Sequence, residues 1–197
     1  MVLDWQSASA NGADILLASA SPRRVLICER AGLRILQKAP GVEECTRDGD
    51  PDGTVEENAR RKLMWAMPAA VDLPVVSADT VVSLDGQVLG KPGSLDEARS
   101  MLMGLSGKMH RVCTGLGFAA PGQDPIVQVV ESQVRFLELT PERVEAYIER
   151  VTPLDKAGGY DIDQSSELLV ASYEGSYTNI MGLPVDHLIH LLARSRS

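Results

Sequence analysis

Three cysteines in 197 residues, Cys28, Cys45 and Cys113, are too few and too scattered for a disulfide framework, and none has the C-x-x-C spacing that suggests zinc. A reducing compartment suits that usage. No apolar run is long enough to cross a membrane, and Met1 to Gly12 has neither the basic start nor the apolar stretch of a secretory signal. These absences lead to the expectation of a soluble, cytoplasmic protein with no membrane partner, residues 1–13 forming a flexible N-terminal extension. Positive charge is also scarce: 19 Lys and Arg stand against 27 Asp and Glu, for a net charge of −8. That balance argues against a broad nucleic-acid surface and leaves room only for a local basic pocket. Internal repeats and low-complexity tracts are missing, so 14–197 reads as a single domain with one sizeable core.

What is present begins with Ile15-Leu16-Leu17-Ala18, an apolar strand running into Ser19-Ala20-Ser21-Pro22-Arg23-Arg24. Ser21 suits an N-cap and Pro22 the first helical position, so the free N–H groups of the first turn face outward beyond the strand. Two arginines there oppose the helix dipole unless an anion is bound. Two readings stand, a capped surface helix with solvated arginines or a phosphate site. Gly32 closes this helix, and Leu33 to Leu36 returns as a short strand. From Pro40 to Gly53 the chain is an acidic loop, and Thr54-Val55-Glu56-Glu57 is a capping box that starts a helix reaching about Met67.

Two β-rich runs, Leu73 to Leu84 and Gln87 to Leu89, flank Asp85-Gly86 as a hairpin. Asp79 interrupts the first run. A carboxylate in such a strand is either satisfied locally, as in an Asx turn with Thr80, or held at a strand end for chemistry. Ser94-Leu95-Asp96-Glu97 opens another helix with Ala98, Met101, Leu102 and Leu105 on its buried face, and Ser106-Gly107 ends it. Strands at Met109 to Ala120 and Ile126 to Leu137 follow, then a helix from Thr140-Pro141 to Arg150 and a last one from Pro184 to about Ala193. His110 lacks an acidic neighbour in sequence and reads as structural. Periodicity alone supports alternating strands and helices, an α/β protein.

Several separated stretches resemble the Maf family, the septum-formation-inhibitor-like nucleotide pyrophosphatases: Ser19 to Arg24; Ala59 to Lys62 as A-x-x-K; Ala78-Asp79-Thr80; Gly90-Lys91-Pro92; Pro153 to Tyr160; and Gly175 to Pro184. The resemblance implies a Maf/ITPase-like mixed twisted sheet with flanking helices and two lobes around a central cleft. It also implies hydrolysis of a nucleoside triphosphate between the α- and β-phosphates, giving a monophosphate and pyrophosphate. On it, Ser21, Arg23, Arg24, Lys62 and Lys91 bind phosphate, and Asp79, Lys62 and Lys91 are catalytic. Glu44 and Asp79 are hard oxygen ligands for Mg²⁺ or Mn²⁺, with Asp79 serving as base or as ligand. Thr80 belongs to the same group, and Arg60 and Arg61 are surface charges. His110, in the family's S-G-x-x-H, forms a wall of the site.

The resemblance breaks after Tyr160, where the commonest pattern reads G-I-Q-G and this chain reads Asp161-Ile162-Asp163-Gln164. Either Asp163 joins the metal ligands or the register shifts so that Gln164 takes the glutamine's role, and the uridine and thymidine preference tied to G-I-Q-G is not carried over. A homodimer is implied. A nucleotide-binding regulator of septum formation without turnover is the alternative, but two acids facing a polyanion serve no pure binder unless a metal lies between them.

Overall fold

The computed structural model describes residues 12–70 and 72–195. Most of the expected extension, residues 1–11, lies outside them. Seven strands, β1 (Ile15–Ala18), β2 (Ile35–Lys38), β3 (Val75–Leu84), β4 (Gln87–Leu89), β5 (Met109–Ala119), β6 (Ile126–Phe136) and β7 (Val170–Glu174), form one sheet. Its path is β2-β1-β3-β5-β6-β7, with β4 paired to β3. The helices are α1 (Pro22–Arg30), α2 (Pro51–Ala66), α3 (Leu95–Leu105), α4 (Pro141–Arg150), α5 (Tyr177–Ile180) and α6 (Val185–Ser195), with short 3₁₀ turns at Met67–Ala69, Ala157–Gly159 and Ser166–Leu168. No helix among the described residues is long and apolar enough to cross a membrane.

β1 is apolar throughout because both of its faces are covered. Ile15 and Leu17 enter the larger core, with Val76, Leu116, Phe136, Tyr147 and Leu188, while Leu16 and Ala18 enter a second core with Leu63, Ala66 and Val75. β1 pairs in parallel with β2 on one side and β3 on the other, so the chain reverses its direction of travel across the sheet at β1. Such a switch leaves a crevice beyond the strand's carboxyl end. The segment Ser19 to Arg24 lies there.

β3 outruns its neighbour. β1 pairs only with Val75 to Ser77, so Asp79 and Thr80 sit past its end while remaining paired to Gly115 and Thr114 of β5. Across that strand pair lies α2, at a distance set by glycine: a Cβ on Gly115 would collide with the Val55 carbonyl, and one on Gly117 would lie 3.3 Å from Leu63 and 3.4 Å from the Ala59 carbonyl of the helix. The hairpin turn has positive φ at Asp85 (52°) and Gly86 (82°), as a type I′ turn requires.

The elements differ in places from the sequence expectation. α2 starts at Pro51, one turn before the expected capping box; Asp50 Oδ1 accepts from Gly53 N at 2.8 Å, and proline fills the first helical position. Thr54 is instead buried inside that turn, where its hydroxyl donates to the Asp50 carbonyl at 2.8 Å. β2 starts at Ile35 rather than Leu33, and β7, not anticipated, adds an edge strand whose residues are largely exposed. An exposed edge strand has too little apolar alternation to announce itself. Met101 is half-buried, whereas Ala98, Leu102 and Leu105 are fully so.

Candidate active site

A cavity of about 620 Å³ opens at the end of β1, a size suited to a nucleotide. Ser19 to Arg24, Glu44, Asn58, Lys62, Asp79, Thr80, Lys91, Asp155, Lys156, Tyr160, Asp161, Gln164 and Gly182 are among its lining residues. α2 supplies the floor. Arg60 and Arg61 pair with Glu56 and Glu57 on its exposed face, each at 2.7 Å, while Lys62 turns inward and is buried. Lys62 Nζ lies 2.6 Å from both Glu44 Oε1 and Asp79 Oδ1. Asp79 is 7% exposed, and its second oxygen accepts from Asn58 Nδ2 at 2.9 Å. Burial works against ionised Glu44, but Lys62, helped by Lys91 and Arg24, outweighs it and holds the carboxyl below its ordinary value. Glu43 stays outside, its carbonyl accepting from Arg61 at 3.3 Å.

The two arginines of α1 divide. Arg24 spends its N–H groups on neutral acceptors: Nε on the Gly182 carbonyl (2.7 Å), Nη1 on Ser19 Oγ (3.1 Å) and Nη2 on Thr80 Oγ1 (3.1 Å). Desolvation lowers its pKa, the Asp79 carboxylate partly opposing that effect. Arg23 Nη1 instead lies 3.2 Å from Asp161 Oδ2. Ser21 makes no side-chain cap; its N–H donates to Ser19 Oγ at 3.1 Å. Along the wall, Lys62 pairs with Glu44 and Asp79, Arg23 with Asp161 and, at 4.0 Å, with Asp155, and Lys156 with Asp155. Arg24 and Lys91 have no carboxylate partner within ion-pair distance among the described residues.

The Maf-like protein model matches residues 14–195. The chain belongs to the Maf-like protein family. Relatives named dTTP/UTP pyrophosphatase include one from Thermotoga maritima, 40% identical with 87% of this chain and 84% of the relative covered. Others come from Moorella thermoacetica, 41% identical over 91% and 93%, and Pyrococcus furiosus, 40% identical over 90% and 93%. Among solved structures, the Staphylococcus aureus Ham1 protein superposes with a TM-score of 0.54 at 13% identity, covering 91% of this chain and 98% of that one. That likeness speaks to the fold alone, a mixed sheet with flanking helices.

Within this Maf-like fold, Ser21, Arg23, Arg24, Glu44, Lys62, Asp79, Thr80, Lys91 and Gln164 all line one cavity. Asp163 does not. Its carboxylate points toward Arg30 (3.6 Å) and accepts from the Tyr177 hydroxyl (3.3 Å), while Gln164 stands on the cavity wall. His110 lies behind Tyr160, its Nε2 2.8 Å from the tyrosine hydroxyl, and burial holds its pKa down to about 4.

Sequence reasoning missed Asn58 and Asp161. Asn58 is buried and also brackets Cys45, accepting from its N–H and donating to its carbonyl at 2.8 Å each, so it ties the Glu44 loop to Asp79. A polar residue on the same helix face as Lys62, four positions earlier, was the available signal.

Proposed function

We propose that this protein hydrolyses nucleoside triphosphates between the α- and β-phosphates, releasing a monophosphate and pyrophosphate. The observation that carries the reading is a cavity in a protein of net charge −8 whose wall holds two cations without carboxylate partners among the described residues, beside a buried Asp79 fixed from two sides. Arg24 and Lys91 attract the phosphates, and Lys62, at the centre of the group, is placed to follow the charge that develops as the bridging oxygen departs. Asp79 accepts the proton of the attacking water. Asn58 occupies its second oxygen, which leaves one carboxylate oxygen to be shared between Lys62 and that proton.

Glu44 and Asp79 suit a hard divalent cation. Both present carboxylate oxygens to a single positive centre, the Lys62 ammonium, and Mg²⁺ commonly takes one or two carboxylates with phosphate oxygens and water. No group of three acidic, histidine or cysteine side chains gathers among the described residues, so the phosphates themselves would complete the coordination. Bound there, Mg²⁺ or Mn²⁺ would neutralise phosphate charge and acidify a water. Asp163 has no part in this arrangement.

The relatives' names make dTTP and UTP the first substrates to test. The decisive measurement is pyrophosphate release from dTTP, UTP and the other common and modified nucleoside triphosphates, with Mg²⁺ and with Mn²⁺. Release from at least one of them that is abolished by chelation is expected; binding without release would favour a regulator. A homodimer in the cytoplasm completes the proposal, and light scattering tests the dimer.

A further inference from the structure

Asp161 occupies the place of a glycine in the commonest family pattern, yet it is one of the most thoroughly engaged carboxylates of the molecule. Its side chain is 2% exposed. Oδ2 accepts from Arg23 Nη1 at 3.2 Å and from Gln164 Nε2 at 3.3 Å; Oδ1 accepts from Asp163 N at 3.0 Å. Its own N–H donates to the buried Tyr147 hydroxyl of α4 at 2.7 Å, which anchors the residue to the core. The competing carboxylate is weaker, since Asp155 is 64% exposed, lies 4.0 Å from Arg23 and is already held by Lys156 at 2.6 Å. A buried carboxylate keeps its cation, because separating them leaves an uncompensated charge away from water.

We propose that Asp161 is a positioning residue whose buried carboxylate locks the Arg23 guanidinium and the Gln164 carboxamide into one arrangement on the cavity wall. By pairing with Arg23 it withholds that charge from the phosphates, which fall to Arg24 and Lys91. This rests on reading the cavity as a triphosphate site. It sets Arg23 apart from the phosphate ligands that the resemblance alone implies.

The test compares the full chain with Asp161→Asn, Arg23→Gln and the double variant. Calorimetry reads binding of inorganic pyrophosphate with Mg²⁺, and turnover of dTTP gives kcat and KM. Asp161→Asn keeps the side chain's size and deletes its charge, so Arg23 keeps only the exposed Asp155 at 4.0 Å, itself held by Lys156, and pyrophosphate should bind about three- to tenfold tighter. Over the same change kcat should fall roughly fivefold or more, as Arg23 and Gln164 lose their fixed places. Arg23→Gln should leave pyrophosphate binding within about twofold, and the double variant should match it, since the effect passes through the arginine. A merely structural aspartate would weaken binding, not tighten it. Unchanged or weaker binding in Asp161→Asn, or a gain that survives in the double variant, overturns the proposal. If Asp161→Asn does not fold, Arg23→Gln decides alone: a loss of about tenfold in pyrophosphate binding overturns the proposal, and near-parental binding upholds it. A parent protein that neither binds pyrophosphate nor releases it from dTTP overturns the reading of the cavity instead, and shows itself before any variant is compared.

Discussion

Asp79 is the one charged residue of β3 and is buried there, and it is tolerated because Lys62 and Asn58 satisfy its two oxygens at 2.6 and 2.9 Å. Replacing it with asparagine keeps the shape and removes the base. Turnover of the preferred triphosphate should fall about 10²- to 10⁴-fold while nucleotide affinity, measured by calorimetry, changes only a few-fold. Near-parental pyrophosphate release would assign Asp79 to structure. Asn58 acts through the groups it holds, donating to Asp79 and bracketing the Cys45 backbone. Asn58→Ala leaves those buried groups unpaired, and a loss of about 1–3 kcal/mol in denaturant unfolding is expected together with reduced kcat. The residue types at Lys62 and Asp79 were legible from motif and spacing. Asn58 shares the Lys62 face of its helix, but only the fold shows that Asp79, 21 residues on, is what it meets there.

At the scale of elements, the site depends on how closely α2 lies on the β3–β5 pair. Gly115 has no side chain where the Val55 carbonyl approaches, and Ser77 Oγ donates to the Ala59 carbonyl at 2.7 Å one step along. Gly115→Ala should therefore push the helix outward, costing about 1–3 kcal/mol of stability and displacing Lys62 from Asp79, so that activity falls as well. Gly104, in α3, is the contrast: nothing lies within 4 Å of where its Cβ would be, and Gly104→Ala should add about 0.5–1 kcal/mol with activity unchanged. Chemical denaturation and turnover on both variants separate close packing from helix propensity; a neutral Gly115→Ala would count against the tight α2 contact. The helix caps at Ser94 and Thr140 follow local sequence and were readable in advance. The Asp50 cap was hidden because a second good cap, Thr54, stands four residues on, and only the fold of the 43–50 loop selects between them.

For the molecule as a whole, acid should be destabilising in a way that one buried group helps to set. His110 packs edge-on against Phe136 and Tyr160 and has no partner for Nδ1 among the described residues, so desolvation holds its pKa down to about 4 from an ordinary 6.5. Between those values the unfolded chain binds a proton that the folded one refuses, so stability rises with pH and is lost as pH falls from about 6.5 toward 4. The contribution is of order 3 kcal/mol at neutral pH. His110→Gln should flatten the unfolding free energy over that window relative to the parent, and parallel curves for the two proteins would refute the assignment. Periodicity and local hydrogen bonding already fix the alternation of apolar strands and capped helices, the hairpin at Asp85-Gly86 and the kinds of side chain that meet a phosphate. Which charges remain unpaired depends instead on how the chain folds back on itself. Arg23 and Arg24 are adjacent and chemically identical, yet Asp161, brought from the far side of the chain and sealed from water, takes one and leaves the other to neutral acceptors. Pairing of that kind depends on burial and on long-range approach, and neither is written in local sequence.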